Sequence, residues 1–315
     1  MSAMVRHARS AVFFAAILPI VSLAIPSCAA GQDVQQHLRD QYRGKTFVLR
    51  GFPVGDALRY DSSGASNSAS PGDWTTDGFI QINDVHLSGD RLIIKAQRMA
   101  VIWSDTKQFE LRPLGRAKGS IAKKEQVRVE IKADLGMHNP SQEQIDAVVS
   151  KIFLTAQDSL GDLVPDYWKP CVGGGLKGTD KNCSFAPEVL AIPGVVAGTS
   201  DSSDTAGGSD QTANISGPFR VGKGVSGVSP PRVTYQHEPE FSDAARVAKY
   251  QGVVILSLVV NREGNPMNIR ISRPLGYGLD AKAVDAVEGW KFSPAEKDGQ
   301  PVATKIMVEV NFHLY

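Results

Sequence analysis

From Thr304 to Tyr315 apolar side chains recur at every second position, with Ile306, Val308, Val310, Phe312 and Leu314 on one face. Lys305, Met307, Glu309, Asn311 and His313 fall on the other face, the signature of a strand with one buried side. Val253 to Val260 is apolar at seven of eight positions, which fits a central strand flanked on both edges. Met267, Ile269 and Ile271 alternate with Asn268, Arg270 and Ser272, so a second strand follows the turn Asn261 to Asn265. Gly264 in that turn suits the positive φ that a short hairpin loop needs.

Two helices complete the pattern. Glu240 to Tyr250 places Phe241, Ala244, Ala245 and Ala248 on one side and ends near Gly252. Asp280 is expected to cap a second helix whose buried side carries Ala283, Val287 and Trp290. The order α-β-β-α-β predicts an α+β domain with two helices on a three-stranded antiparallel sheet. A right-handed crossover puts the last strand beside the first, at the edge.

Upstream the periodicities are mainly those of strands. Thr46 to Arg50, Gly78 to Asn83 and Arg91 to Trp103 are rich in Ile, Val and aromatics. Gln126 to Ala133 alternates, with Val127, Val129 and Ile131 on the apolar face. Ser141 and Gln144 have capping-box spacing before the stripe Ile145, Val148, Val149, Ile152 and Phe153. Residues 31–195 therefore read as a β-rich domain with one clear helix. Residues 196–227 are dominated by Gly, Ser, Thr, Asp, Ala and Val and read as a flexible linker. On this reading residues 228–315 fold independently of the domain before them.

Charge adds little until it is divided. The 315 residues hold 34 Lys+Arg and 33 Asp+Glu, a balance that argues against nucleic acid as a partner. Residues 31–195 carry 20 of each sign and residues 228–315 ten of each. Arg6 and Arg9 stand without an acidic neighbour before the apolar run Ala11 to Ile25 and the small residues Ser27, Cys28, Ala29 and Ala30. That layout of residues 1–30 predicts a secretory signal, and a lipid-modified Cys28 or a retained membrane anchor are the alternatives. In each case the remaining chain lies outside the cytoplasm. With the signal removed, Cys171 and Cys183 remain, an even pair that favours one disulfide in an oxidising compartment.

The C-terminal segment resembles the C-terminal domain of the TonB energy-transducer family. The likeness rests on "PEFSDAAR" with Pro239 and Phe241, on Gly252 opening the first strand, and on "VNREGNP" with Gly264. It rests also on "GWKFSPAEKDGQPV", which carries Trp290, Phe292, Pro294 and Gly299. The resemblance implies a domain that binds an extended segment of an outer-membrane transporter along a sheet edge and relays inner-membrane energy to it. Backbone groups on the last strand, Lys305, Ile306, Met307, Val308, Glu309, Val310 and Asn311, would meet that partner, another envelope protein, or a second copy of the chain. The family's Gln-Pro-x-Tyr-Pro motif is replaced by Glu238, Pro239, Glu240, Phe241 and Ser242, and the apolar run near the N-terminus has no His.

Chemical motifs fail in context. Gly222, Gly224 and Gly227 spell a dinucleotide fingerprint inside the linker, with no strand before it and no helix after it. Gly44 to Thr46 lacks the first glycine of a phosphate loop, and His237 and Glu238 lack the second histidine of a zinc helix. Ser120 and Lys123 lack the companion motifs of a penicillin-recognising site. No catalytic set, metal site or cofactor is expected. The aromatic pair Tyr167 and Trp168 is expected to be a packed corner.

Overall fold

The computed structural model describes residues 29–66, 70–118, 123–172, 183–195, 219–220 and 227–314. The apolar run near the N-terminus, most of the linker and the Gly222 and Gly224 motif lie outside them.

The described residues open with helix α1 (Ala29–Tyr42) and strands β1 (Thr46–Val48) and β2 (Ala57–Tyr60). A one-turn helix α2 (Trp74–Asp77), capped by Asp73, leads into β3 (Phe79–Ser88) and the long β4 (Arg91–Trp103). β3 and β4 form an antiparallel hairpin with a bulge between Ile82 and Asp84, and on its other side β4 meets two different strands. Its first half pairs with β8 (Arg128–Asp134), its second half with β5 (Gln108–Pro113). The ribbon β6 (Gly115–Lys118) and β7 (Lys123–Gln126) lies between β5 and β8 in sequence.

Arg98 sits where the sheet forks. Its guanidinium is buried and donates to the carbonyls of Asp77 at 2.7 Å, Pro53 at 2.6 Å and Gly55 at 2.8 Å. A buried cation is tolerated because its donors are satisfied.

The helix foreseen after Ser141 is α3 (Gln142–Ile152), with both bonds of the capping box in place. Short helices α4 (Leu160–Leu163), α5 (Lys169–Val172) and α6 (Pro187–Leu190) follow, with β9 (Ser184–Phe185) pairing in parallel with β5. A disulfide joins Cys171 to Cys183. Trp168 is fully buried, packed edge-on against Trp74 with ring centres 4.9 Å apart.

Within the linker lies β10 (Phe219–Arg220), and beyond it come β11 (Val228–Ser229) and β12 (Arg232–Tyr235), then α7 (Asp243–Ala248). Strands β13 (Gly252–Val260) and β14 (Pro266–Arg273) form the hairpin, and α8 (Leu279–Glu288) crosses over it. Short strands β15 (Lys291–Ser293), β16 (Ala295–Lys297) and β17 (Gln300–Val302) precede the last strand, β18 (Thr304–Phe312). The sheet order is β10-β18-β13-β14, so the fold is α+β, with β18 beside β13 as the right-handed crossover requires.

Four details differ from the sequence expectation: the N-terminal unit has a second long helix, α1, beside α3, Trp290 lies past the end of α8 at Glu288, and both C-terminal helices are bounded differently. The first helix is shorter than Glu240 to Tyr250, because Ser242 caps its start and Lys249 closes it in the left-handed region at φ 52°. The second helix begins after Gly278, which adopts φ 74°, and Asp280 is not its cap. The Asp280 carboxylate instead reaches back to accept the N–H groups of Leu275 at 2.8 Å and Gly276 at 2.7 Å.

The expectation of two separate cores also changes. One buried cluster includes Trp74, Val101, Ile102 and Trp168 together with Val254, Leu256, Leu275, Tyr277 and Leu279. A second cluster, around Leu38, Ile82, Ile94 and Ile145, belongs to the N-terminal unit alone. Backbone bonds cross the junction: Trp103 N–H donates to Leu275 at 2.9 Å and Tyr277 N–H to Val101 at 3.0 Å. The Tyr250 hydroxyl donates to the Trp103 carbonyl at 2.6 Å, and Gly278 N–H donates to the Thr75 hydroxyl at 2.8 Å.

Candidate functional site: the open edge of the C-terminal sheet

β18 pairs with β13 residue for residue from Thr304↔Val260 to Phe312↔Gly252, without a bulge. An unbroken register keeps the alternation intact, so Val308, Val310 and Phe312 are buried while Lys305, Met307, Glu309 and Asn311 are exposed. Met307 is 61% exposed.

The backbone alternates as well. Phe219 N–H donates to the Ala303 carbonyl at 3.0 Å, which places that carbonyl on the side away from β13. In a regular antiparallel ladder the same side then receives the N–H and C=O groups of Lys305, Met307, Glu309 and Asn311. Lys305 differs from the expectation of a wholly free edge, because β10 pairs in parallel with Thr304 and Lys305. From Ile306 to Phe312 no strand among the described residues is registered on that side.

The opposite edge of the sheet is partly covered. Ile271 N–H on β14 donates to the Tyr167 carbonyl at 2.9 Å, so the corner that holds Trp168 also covers β14. Nothing in the periodicity of either segment announces this contact, since it is made by a carbonyl and not by a side chain.

Beside the open stretch lies a groove of about 590 Å³. Glu309, Val310, Asn311 and His313 form one wall, and Gln236 to Pro239 with Phe241 and Trp290 form the other. The second wall is tied down at three points. Trp290 donates its indole N–H to the His237 carbonyl at 3.3 Å, Lys282 pairs with Glu240 at 3.0 Å, and Phe241 packs edge-on against Phe312 at 5.4 Å. The Lys282 ammonium holds the Glu240 carboxyl below its usual range.

The other motif glycines and aromatics support this frame. A Cβ on Gly264 would lie 1.9 Å from the Phe292 carbonyl oxygen, and Phe292 N–H donates to the Gly264 carbonyl at 2.9 Å. Gly264 therefore permits the close approach of the hairpin to β15. A Cβ on Gly252 would meet Leu275 Cδ1 at 2.7 Å. Asp298 and Gly299 have φ of 53° and 75° between the paired residues Lys297 and Gln300, the two-residue turn that suits the twist of a hairpin. Pro294 is half-buried between β15 and β16. Gly264, Phe292 and Pro294 thus gather at β15 and Pro239, Phe241 and Trp290 at the groove wall, whereas Gly252 lies against Leu275 at the start of β13, Gly299 lies in the β16–β17 turn, and Cys171 and Cys183 lie on the N-terminal unit.

Sequence reasoning missed β10. Phe219 is the one aromatic residue between 196 and 227, and that isolated apolar group was the available signal. The described residues contain no helix long and apolar enough to cross a membrane.

Comparison with known proteins bears on the C-terminal segment of the chain. The family described as Gram-negative bacterial TonB protein C-terminal matches residues 237–314. Protein TonB of Vibrio cholerae serotype O1 is 33% identical over 86 residues, 27% of this chain and 35% of that protein. Protein TonB of Xanthomonas campestris pv. campestris (strain B100) is 38% identical over 77 residues, 24% of this chain and 34% of that protein. The chain thus spans about a third of the length of these relatives. The solution NMR structure of the Pseudomonas aeruginosa TonB C-terminal domain matches with a TM-score of 0.23 and 17% identity, over 31% of this chain and 96% of that one. The match at residues 237–314 coincides with the segment that forms α7, β13, β14, α8 and β18 around the motif residues, and these residues are a TonB C-terminal domain.

Proposed function

We propose that this chain is a periplasmic, non-enzymatic TonB-like protein whose C-terminal domain takes up an extended segment of an outer-membrane transporter as an added strand on β18. In this reading it transmits energy for TonB-dependent transport. The observation that supports it is the asymmetry of the sheet: Tyr167 bonds β14 at Ile271, whereas no strand among the described residues pairs with the outward side of β18 from Ile306 to Phe312, beside a groove. An added strand gains main-chain hydrogen bonds from the edge and selectivity from pockets beside it.

Titration of the full chain with peptides from transporter N-termini tests the proposal. Glu309→Pro removes one N–H from the outward side of the edge, and binding should weaken at least tenfold. Equal affinity of the two proteins, or no binding by any peptide, overturns it. Self-pairing at the same edge would instead give a concentration-dependent dimer in sedimentation that Glu309→Pro abolishes.

A further inference from the structure

Part of the docking edge is already occupied by the chain itself. β10 runs parallel to β18, with Phe219 opposite Thr304 and Arg220 opposite Lys305. Phe219 N–H donates to the Ala303 carbonyl at 3.0 Å, and the Lys297 ammonium stands 4.9 Å from the centre of the Phe219 ring. The contact therefore combines a backbone bond with a cation held over an aromatic face. It is made by the one aromatic residue of an otherwise small and polar linker.

We propose that Phe219 and Arg220 form an intramolecular strand that caps the start of the docking edge and competes with any incoming strand for Thr304 and Lys305. A partner docking on the capped protein is confined to Ile306 to Phe312, and one that pairs further must displace the linker. The cap is short, but tethering sustains it. A segment linked to its own binding site experiences an effective concentration in the millimolar range, so a contact too weak to form between molecules persists within one. The linker thereby sets the register of the partner and protects the edge from a second copy. The competition rests on β18 as the docking edge; the cap itself does not.

The test uses the full chain. Phe219→Pro removes the N–H that bonds Ala303 and leaves β18 unaltered. Amide exchange followed by NMR should show Lys305 exchanging at least tenfold faster in this variant, while Leu256 and Val254 in β13 keep their protection. Lys297→Ala should accelerate Lys305 by a few-fold. Unchanged exchange at Lys305 in Phe219→Pro overturns the cap. In a second arm, transporter peptides long enough to span Thr304 to Phe312 should bind Phe219→Pro several-fold more tightly than the unaltered chain. Equal affinity overturns the competition. Faster exchange at Lys305 with no peptide bound by either protein refutes the docking reading and leaves the cap standing.

Discussion

Asp280 shows how one buried carboxylate governs a junction. It is fully buried at the start of α8 and accepts two backbone N–H groups, and burial still pushes its pKa up to about 7. The part-buried Asp73 adds to the shift, and its own pKa is raised by desolvation as well. The folded state therefore retains a proton that the unfolded chain releases near pH 4. Between those values the folded state binds more protons, so stability falls as pH rises, by about 1.4 kcal/mol per pH unit for one such group. Asp158 has the opposite sign: its pairing with Arg50 lowers its pKa to about 2, and the stability it adds is present above about pH 4 and lost as pH falls through 2. The two windows do not overlap. In Asp280→Asn, denaturant unfolding measured between pH 5 and 7 should lose most of the negative slope, and a slope equal to that of the unaltered chain would refute the assignment. The sequence pointed to Asp280 through its position before an apolar stripe, but a cap and a reach-back acceptor have the same local signature. What separates them is the left-handed Gly278 at the cap position, whose N–H donates to the Thr75 hydroxyl far away in sequence.

At the scale of the element, β18 was legible in face but not in edge. Strict alternation assigns Val308 and Val310 to the core and Glu309 and Asn311 to solvent, and the structure agrees at each of these positions. Which backbone N–H groups turn toward β13 is invisible to periodicity, because it depends on the register between strands. The register makes a sharp distinction. Proline at Val308 removes an N–H on the β13 side of a buried position and leaves its carbonyl partner unsatisfied, which costs about 1–3 kcal/mol. Glu309→Pro removes an N–H on the open side, where an edge strand tolerates proline. Chemical denaturation should therefore show Val308→Pro strongly destabilised and Glu309→Pro within about 1 kcal/mol of the unaltered chain. The reverse order would mean that the outward and inward sides have been exchanged. Salt gives a second test of the element. Because an edge pairs through neutral backbone groups, transporter-peptide affinity should change less than about threefold between 50 and 500 mM salt. A tenfold or greater loss would assign the binding to charged side chains, with Glu238 and Glu309 in the groove as the candidates.

The linker composition suggested two independent bodies, yet the two halves share one buried cluster and exchange backbone hydrogen bonds at Val101 to Trp103 and Leu275 to Tyr277. The cue was present as two large apolar residues, Leu275 and Tyr277, in a loop otherwise built like a turn, but a loop has no period from which to read its partner. Gly276 lies at the centre of this contact with φ 92°, bridged to Ile102, and a Cβ there would stand 2.3 Å from the Val101 carbonyl oxygen and 2.7 Å from Ile102 Cα. Both neighbours are backbone, so neither can turn aside as a side chain would. Two bodies joined through a common core should unfold together, with probes in β4 and in β13 reporting one transition. Gly276→Val opposes both the conformation and the approach, and should lower stability by about 3 kcal/mol or more. Because β13 and β18 keep their own pairing, the variant should also lose cooperativity, with amides in β13 and β4 now reporting separate transitions. Two transitions in the unaltered chain would show that the contact does not couple the halves. One transition in both proteins would show that coupling survives the loss of this approach, and would move it to the Tyr250 hydroxyl and the Tyr167 carbonyl that span the same junction.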